Sequence, residues 1–232
     1  VAITTRQLID SAYKFVVNSE ELDTLSPKQE SQGLILLNQL LDFKTAEISQ
    51  IPYYQPYNFT AVVGQEEYFI PLLVYPSTIT FTLGTVRYEI DIIQRKQYKG
   101  WGRANNITTL PSQAYFQRTL NGTNLFLYPL PNLAYPFEIE GKFGFSSVTI
   151  DEELTAFEGF YLRYLKYALA EDIADEYQIS LTPSQERKLR HMERMIRDVS
   201  PPDLSLDIMQ VLGNGPFSLN YGDVNIGKGF RP

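Results

Sequence analysis

Apolar residues recur along the chain at three successive rhythms. Up to about residue 50 the spacing is helical. Leu8, Ala12, Phe15 and Val16 share one face of a first helix. Leu34, Leu37, Leu40 and Leu41, widened by Ile35 and Leu36, share one face of a second. Each helix opens on a capping signature. Thr4 with Gln7, and Ser26-Pro27-Lys28-Gln29, put a hydroxyl at the N-cap and a glutamine three residues on, the latter with proline at the first helical position. From 51 to 148 the period falls to two. Tyr57, Phe59, Ala61 and Val63 alternate, as do Tyr68 and Ile70, then Ile79, Phe81 and Leu83, then Val86, Tyr88, Ile90 and Ile92, and finally Phe137, Ile139, Gly141 and Phe143. Leu120-Asn121-Gly122-Thr123 predicts a tight hairpin joining Tyr115–Thr119 to Asn124–Tyr128, because Asn-Gly accepts the positive φ of a type I′ turn. About six or seven short strands with frequent turns predict an antiparallel β-sandwich or small barrel.

Helical spacing returns from 149 to 199. Leu154, Phe157, Tyr161, Leu165, Ala168, Leu169 and Ile173 predict a helix over Thr149–Tyr177, with Phe160, Tyr164 and Tyr167 on a neighbouring face. Thr182-Pro183-Ser184-Gln185 repeats the capping signature and opens a last helix. That helix has a thin apolar stripe, Leu189, Met192 and Ile196, and a separate line of Arg187, Arg190, Arg194 and Arg197. Ser200-Pro201-Pro202 cannot continue it. The fold class expected is therefore α+β. Helical hairpins at 1–50 and 149–199 form one four-helix domain, the β-domain 51–148 is inserted between them, and 200–232 is an extended C-terminal docking arm. The arm is rich in glycine yet keeps Phe217, Tyr221 and Phe230 as candidate anchors, and a disordered tail is usually poor in such residues.

A helix that is apolar over more than one stripe is central either to its own core or to an assembly. Rings with a polar tip suit a partly wet boundary, which favours Phe160, Tyr164 and Tyr167 at a subunit–subunit contact over burial within one chain. The arginine line has two readings. It is ion-paired and solvated, through Glu186–Arg190 and Glu193–Arg197 at i,i+4, or it meets phosphates or an acidic partner. Glu171, Asp172, Asp175 and Glu176 could hold a hard cation. An ion network with Arg187, Lys188 and Arg190 across a tight hairpin is the stronger expectation, since acidic groups at a helix C-terminus oppose its dipole.

Composition narrows the chemistry. The 232 residues include no cysteine, which excludes disulfides and thiol catalysis. The single histidine, His191, lies on the charged last helix, so neither a Ser–His–Asp triad nor a zinc site is expected. No Walker pattern occurs, and the net charge of −7 argues against general nucleic-acid binding. No apolar run approaches the ~20 residues of a membrane span, and Val1 to Asp10 lacks the apolar stretch of a signal peptide. The expectation is a protein without catalytic residues, metal or cofactor. An alternative is a ligand- or carbohydrate-binding β-module on a helical stalk, with Tyr98 and Trp101 in a surface loop as a stacking platform.

One family shares this arrangement. The opening Thr5-Arg6-Gln7-Leu8-Ile9-Asp10-Ser11-Ala12 and the leucine-rich Gly33-Leu34-Ile35-Leu36-Leu37-Asn38-Gln39-Leu40-Leu41 resemble the first helices of the head-to-tail adaptor proteins of short-tailed bacteriophages, the tail accessory or packaged-DNA-stabilising group. So do Leu127-Tyr128-Pro129-Leu130-Pro131 in the middle and the paired late helices, Phe160 to Ala170 and Ser184 to Arg197. The resemblance covers most of residues 1 to 199 as a pattern. It implies a virion protein of the neck, assembled in the host cytoplasm as a ring, usually of twelve copies. It implies docking beneath a portal protein through helices and C-terminal arms, contact with the next tail component, and no catalysis. DNA would pass through the channel without sequence-specific binding. An acidic channel wall suits such a conduit, because a wall that attracted phosphates would hold the DNA back.

Overall fold

The computed structural model describes residues 3–17, 25–100, 104 and 106–199. The chain is mixed α+β. Two helices come first, α1 (Thr5–Val17) and α2 (Pro27–Ala46), followed by a 3₁₀ turn at Ile48–Gln50. Strands β1 (Gln55–Thr60), β2 (Glu67–Pro71), β3 (Leu73–Leu83), β4 (Val86–Glu89) and β5 (Asp91–Ile92) precede the short helix α3 (Arg95–Gly100). Then come β6 (Thr108–Thr109), β7 (Gln113–Thr119), β8 (Gly122–Tyr128), β9 (Leu130–Pro131) and β10 (Pro136–Phe143). Helices α4 (Gly159–Glu176) and α5 (Pro183–Val199) end the described chain.

All three capping signatures form as local chemistry dictates. Thr4 N–H donates to Gln7 Oε1 at 3.1 Å and Gln7 N–H to Thr4 Oγ1 at 3.3 Å. Ser26 and Gln29 exchange the same pair at 3.0 and 3.3 Å, and Thr182 and Gln185 at 2.8 and 3.4 Å. Each box supplies partners to two amide groups that a helix start leaves orphaned. The four longer helices then bury their apolar faces together. Helix α4 packs on α1, α2 and α5, and Tyr161, Leu165, Leu169 and Ile173 meet Leu8, Ile9 and Ala12 of α1, Leu37 and Leu41 of α2, and Leu189 and Ile196 of α5. Helices α1 and α2 approach closely at Gly33, where a Cβ would lie 2.5 Å from the Ile9 side chain.

The expected helix over Thr149–Tyr177 begins ten residues later than its apolar spacing predicts. Residues 149–158 are turns and irregular chain because their backbone is committed to the start of α1 and the residues just before it, including a bridge between Thr4 and Glu153. Thr5 N–H donates to Glu152 O at 2.9 Å, Arg6 N–H to Ile150 O at 3.0 Å, and Leu154 N–H to Ile3 O at 2.9 Å. The first amides of α1 lack intrahelical acceptors, and this segment provides two of them. Leu154 and Phe157 still pack on the helical core, so their spacing marks burial and not helix.

The strands form two four-stranded sheets, ordered β1-β10-β3-β4 and β2-β8-β7-β5, and a small pair, β6-β9. Within the first, Phe137 pairs with Phe81 and Ile139 with Ile79. Side chains of both larger sheets, among them Ile70, Ile79, Phe81, Leu125, Leu127, Phe137 and Ile139, bury in one cluster. The expectation of a wholly antiparallel domain is corrected at two places, since β5 pairs with β7 and β6 with β9 in parallel. The chain leaves one sheet for the other at Ile90: its N–H donates to Ile79 O, and the next amide, Asp91 N–H, donates to Ser112 O. A crossover through α3 then returns it beside β5, the long connection that a parallel pair requires.

The β7–β8 hairpin forms, with Leu120 and Asn121 in the turn and Thr119 opposite Gly122, one residue earlier than an Asn-Gly turn. Gly122 stands in the strand for a different reason: a Cβ there would lie 2.3 Å from Ile70 O.

Strands and helices are tied at the place where the chain passes between them. Lys142 of β10 is fully buried, and its Nζ donates to Ile48 O at 3.2 Å and Ile51 O at 2.9 Å. Burial lowers the pKa of this ammonium. Tyr161 OH donates to Gln50 O at 3.3 Å, and Asn38 exchanges two hydrogen bonds with the Val148 backbone at 2.8 and 3.2 Å. Among the described residues no helix is long and apolar enough to cross a membrane.

Candidate interaction surface on the last helical hairpin

Helix α5 turns Leu189 and Ile196 inward and leaves Arg187, Arg190, Arg194 and Arg197 exposed. Arg190 pairs with Glu186 at 3.3 Å, one turn earlier. The expected Glu193–Arg197 pair is replaced. Arg197 reaches Glu47 at 3.1 Å, and Glu193 turns to Lys44 at 3.5 Å. Arg187 Nε donates to Pro183 O at 3.2 Å, and Arg194 makes no ion pair among the described residues. The helix packs against α4 and the 3₁₀ turn that follows α2, so Glu47 and Lys44 take the places of the i,i+4 neighbours. Exposed pairs of this kind contribute about 0–1 kcal/mol each and set orientation more than stability.

Two of the three residues of the second aromatic face, Tyr164 and Tyr167, are interior, which corrects their expected place at a subunit contact. Tyr164 is 0% exposed and Tyr167 is 8% exposed. Tyr167 packs against Phe15 of α1 with ring centroids 4.6 Å apart, and Tyr164 lies beside Tyr161 at 5.6 Å. Only Phe160 is half-buried, edge-on to Tyr53 at 6.4 Å. A helix covered by α1, α2 and α5 has no aromatic stripe to spare for a neighbour.

The acidic end of α4 finds a different counter-charge from the one expected. No ion pair among the described residues joins Glu171, Asp172, Asp175 or Glu176 to Arg187, Lys188 or Arg190. The cation facing this end is Lys44, buried in the last turn of α2, with Glu193 at 3.5 Å and the Tyr164 ring face at 5.4 Å. Burial, then Glu171, push the Asp172 carboxyl up to about 6, while Lys44 pulls it the other way. Burial and Glu193 likewise raise Glu171. Among the described residues no group of histidine, cysteine and carboxylate side chains is arranged to hold a metal ion. Lys44 was legible as an anomaly, a charge on the face that Leu37, Leu40 and Leu41 bury.

Two concavities flank the hairpin. Along α4 and α5, a groove of about 460 Å³ is lined by the apolar Phe160, Met192, Met195 and Ile196 and by the basic Arg163 and Lys188 with His191. At the turn, a shallower notch of about 320 Å³ is lined by Glu171, Asp175, Ile179 and Glu186. His191 is exposed and lines this groove beside Lys188. A third cleft of about 310 Å³, where strands meet helices, is lined mainly by apolar residues such as Tyr57, Leu72, Phe145 and Phe157.

The sugar-platform alternative loses its tyrosine. Tyr98 is 3% exposed, within α3 and not in a surface loop. Its ring stacks on Tyr115 at 5.4 Å and its hydroxyl donates to Glu66 Oε1 at 2.7 Å. Trp101 and the candidate arm anchors Phe217, Tyr221 and Phe230 lie outside the described residues. The chain matches no known family model, and no characterised protein matches it at a significant level.

Proposed function

We propose that this chain is a structural virion protein, a head-to-tail connector that assembles as a ring beneath a portal, extends the DNA channel and joins the tail. It acts by binding and not by catalysis. On this reading the two terminal helical hairpins form one four-helix domain, the β-domain is an inserted sandwich, and residues 200–232 are the docking arm. The ring of twelve copies, the portal and the next tail component are the partners that the family resemblance implies. The net charge of −7 suits a channel through which DNA slides without being held.

The observation that carries the reading is the surface of α5. Arg163, Lys188 and His191 line a groove together with Phe160, Met192, Met195 and Ile196, Met195 there is 48% exposed, and Arg187, Arg190, Arg194 and Arg197 are exposed elsewhere on the same helix. Such a surface, with basic and apolar side chains side by side, has the anatomy of a protein–protein contact. The test is native mass spectrometry and negative-stain imaging of the purified protein, alone and mixed with portal rings. Closed rings, or capture onto portals, are expected. A protein that stays monomeric at every concentration and ignores portals overturns the reading.

A further inference from the structure

We propose that the two ends of the α4–α5 hairpin are the two halves of one head-to-tail contact between copies of this chain. The acidic tip of one copy seats in the basic groove of the next. This inference rests on the ring reading and names the surface that would build the ring.

The tip is the turn of the hairpin. Residues 175–180 are all exposed, and the chain reverses sharply at Gln178, whose φ is 56°. Tyr177 and Ile179 stand 44% and 42% exposed there, and Ile179 lines the shallow notch with the carboxylates of Glu171, Asp175 and Glu186. The groove has the opposite charge, with Arg163 and Lys188 lining it beside Phe160 and Met195. Neither Arg163, Lys188 nor Asp175 makes an ion pair among the described residues. Glu186 of the tip is paired with Arg190, and Asp175 on one patch and Arg163 and Lys188 on the other remain as complementary charges.

The chain does not satisfy itself. Arg163 and Asp175 are twelve residues apart on one helix, about 18 Å along its axis. Groove against groove would set Arg163 and Lys188 against their own copies, and tip against tip would oppose carboxylates, so a symmetric pair is disfavoured. A contact between unlike patches repeats from copy to copy and closes into a ring when the rotation allows. A basic groove also suits a nucleic acid, but a phosphate backbone has no use for apolar side chains in it or for complementary charges elsewhere on the same molecule.

The experiment is a charge swap. One variant carries Arg163→Glu with Lys188→Glu, the other Asp175→Lys with Gln178→Lys, and each is studied as the full chain by native mass spectrometry and thermal melting. Each alone is expected to melt like the parent and to remain monomeric. The equimolar mixture is expected to regain closed assemblies with the two chains in equal number. Should a swapped chain not fold, Ile179→Ser and Met195→Ser, at exposed positions, probe the apolar part of the same contact. Either is expected to weaken association about tenfold or more. A parent that forms rings while all the variants also do so overturns this contact and leaves the ring reading standing. The same holds if the variants lose assembly and the mixture does not recover it, or if Arg163→Glu with Lys188→Glu abolishes only retention on DNA. A parent that never assembles, alone or with portals, overturns both.

Discussion

Tyrosines fill both cores of this protein, but their hydroxyls meet different fates. In the β region Tyr68, Tyr135 and Tyr98 end on partners. Tyr68 OH accepts from Val62 N–H at 3.0 Å and reaches Val62 O at 3.0 Å, Tyr135 OH donates to Asn132 Oδ1 at 2.6 Å, and Tyr98 OH reaches Glu66. Among the helices, Tyr164 OH is buried with no hydrogen-bond partner among the described residues, and so are both polar atoms of the Gln50 side chain. The reason lies in the backbone. Backbone N–H and C=O groups inside a helix pair with one another, whereas turns present free carbonyls and amides, which Tyr68 uses between strands and Tyr161 uses at the 3₁₀ turn, through Gln50 O. A polar atom inside the helical core that reaches no such turn must find another side chain or go without.

Deep truncations should be costly on both sides and so define the baseline. Phe137→Ala among the strands and Tyr161→Ala on α4, at 1% and 0% exposure, are each expected to cost about 3–5 kcal/mol in urea unfolding. A much smaller loss at Tyr161 would mean that the helical core is loosely packed.

Lys44→Ala comes next. It leaves Glu193 and the acidic end of α4 without their buried counter-charge, at an expected cost of roughly 2–4 kcal/mol. Lys44→Met combined with Glu193→Gln should recover most of that, because it removes both charges together. If the double variant is no better than the single one, the pair is not what holds this corner.

The hydroxyl contrast is tested directly by two small changes. Tyr68→Phe strands the Val62 amide and should cost about 1 kcal/mol or slightly more. Tyr164→Phe removes a hydroxyl that has no partner and should be neutral or stabilising by up to about 1 kcal/mol. Equal losses at the two sites would erase the comparison.

A pH dependence provides a test of similar size. Asp172 has a folded pKa of about 6 against an ordinary 3.8, so between those values the folded state holds the proton more tightly than the unfolded one. Its contribution to stability therefore falls as pH rises from about 4 to about 6. Asp172→Asn should stabilise the protein at pH 7 by about 1–2 kcal/mol and have little effect at pH 4, as read by melting at the two pH values. A gain that is the same at both would assign the effect to packing.

Much of this was legible in the chain, and what was not has a common cause. The three capping boxes, the faces of α1, α2 and α5 and the alternation of the strands depend on residues one to four positions apart, and local sterics decide them. Tyr164 and Tyr167 had the right period for a buried face, but period does not say whether the cover comes from the same chain or from a neighbour. Leu154 and Phe157 kept the helical spacing while their backbone bonded to α1. Nothing local announces that a partner 147 residues away will claim a carbonyl, as Thr5 claims that of Glu152.

Sequence alone determined most of the helical and extended segments, though not 149–158 or α3, and that the apolar face of α4 is too broad to be left in water. Tertiary structure decided the rest. It placed Lys44 under Glu193, moved Arg197 to Glu47, turned β5 parallel to β7, and left a groove open between Phe160 and Met195. Each of these joins residues far apart in the chain. Their pairing follows from which surfaces remain once every local element has formed, and from the competition among carboxylates, carbonyls and rings for the few positions within reach.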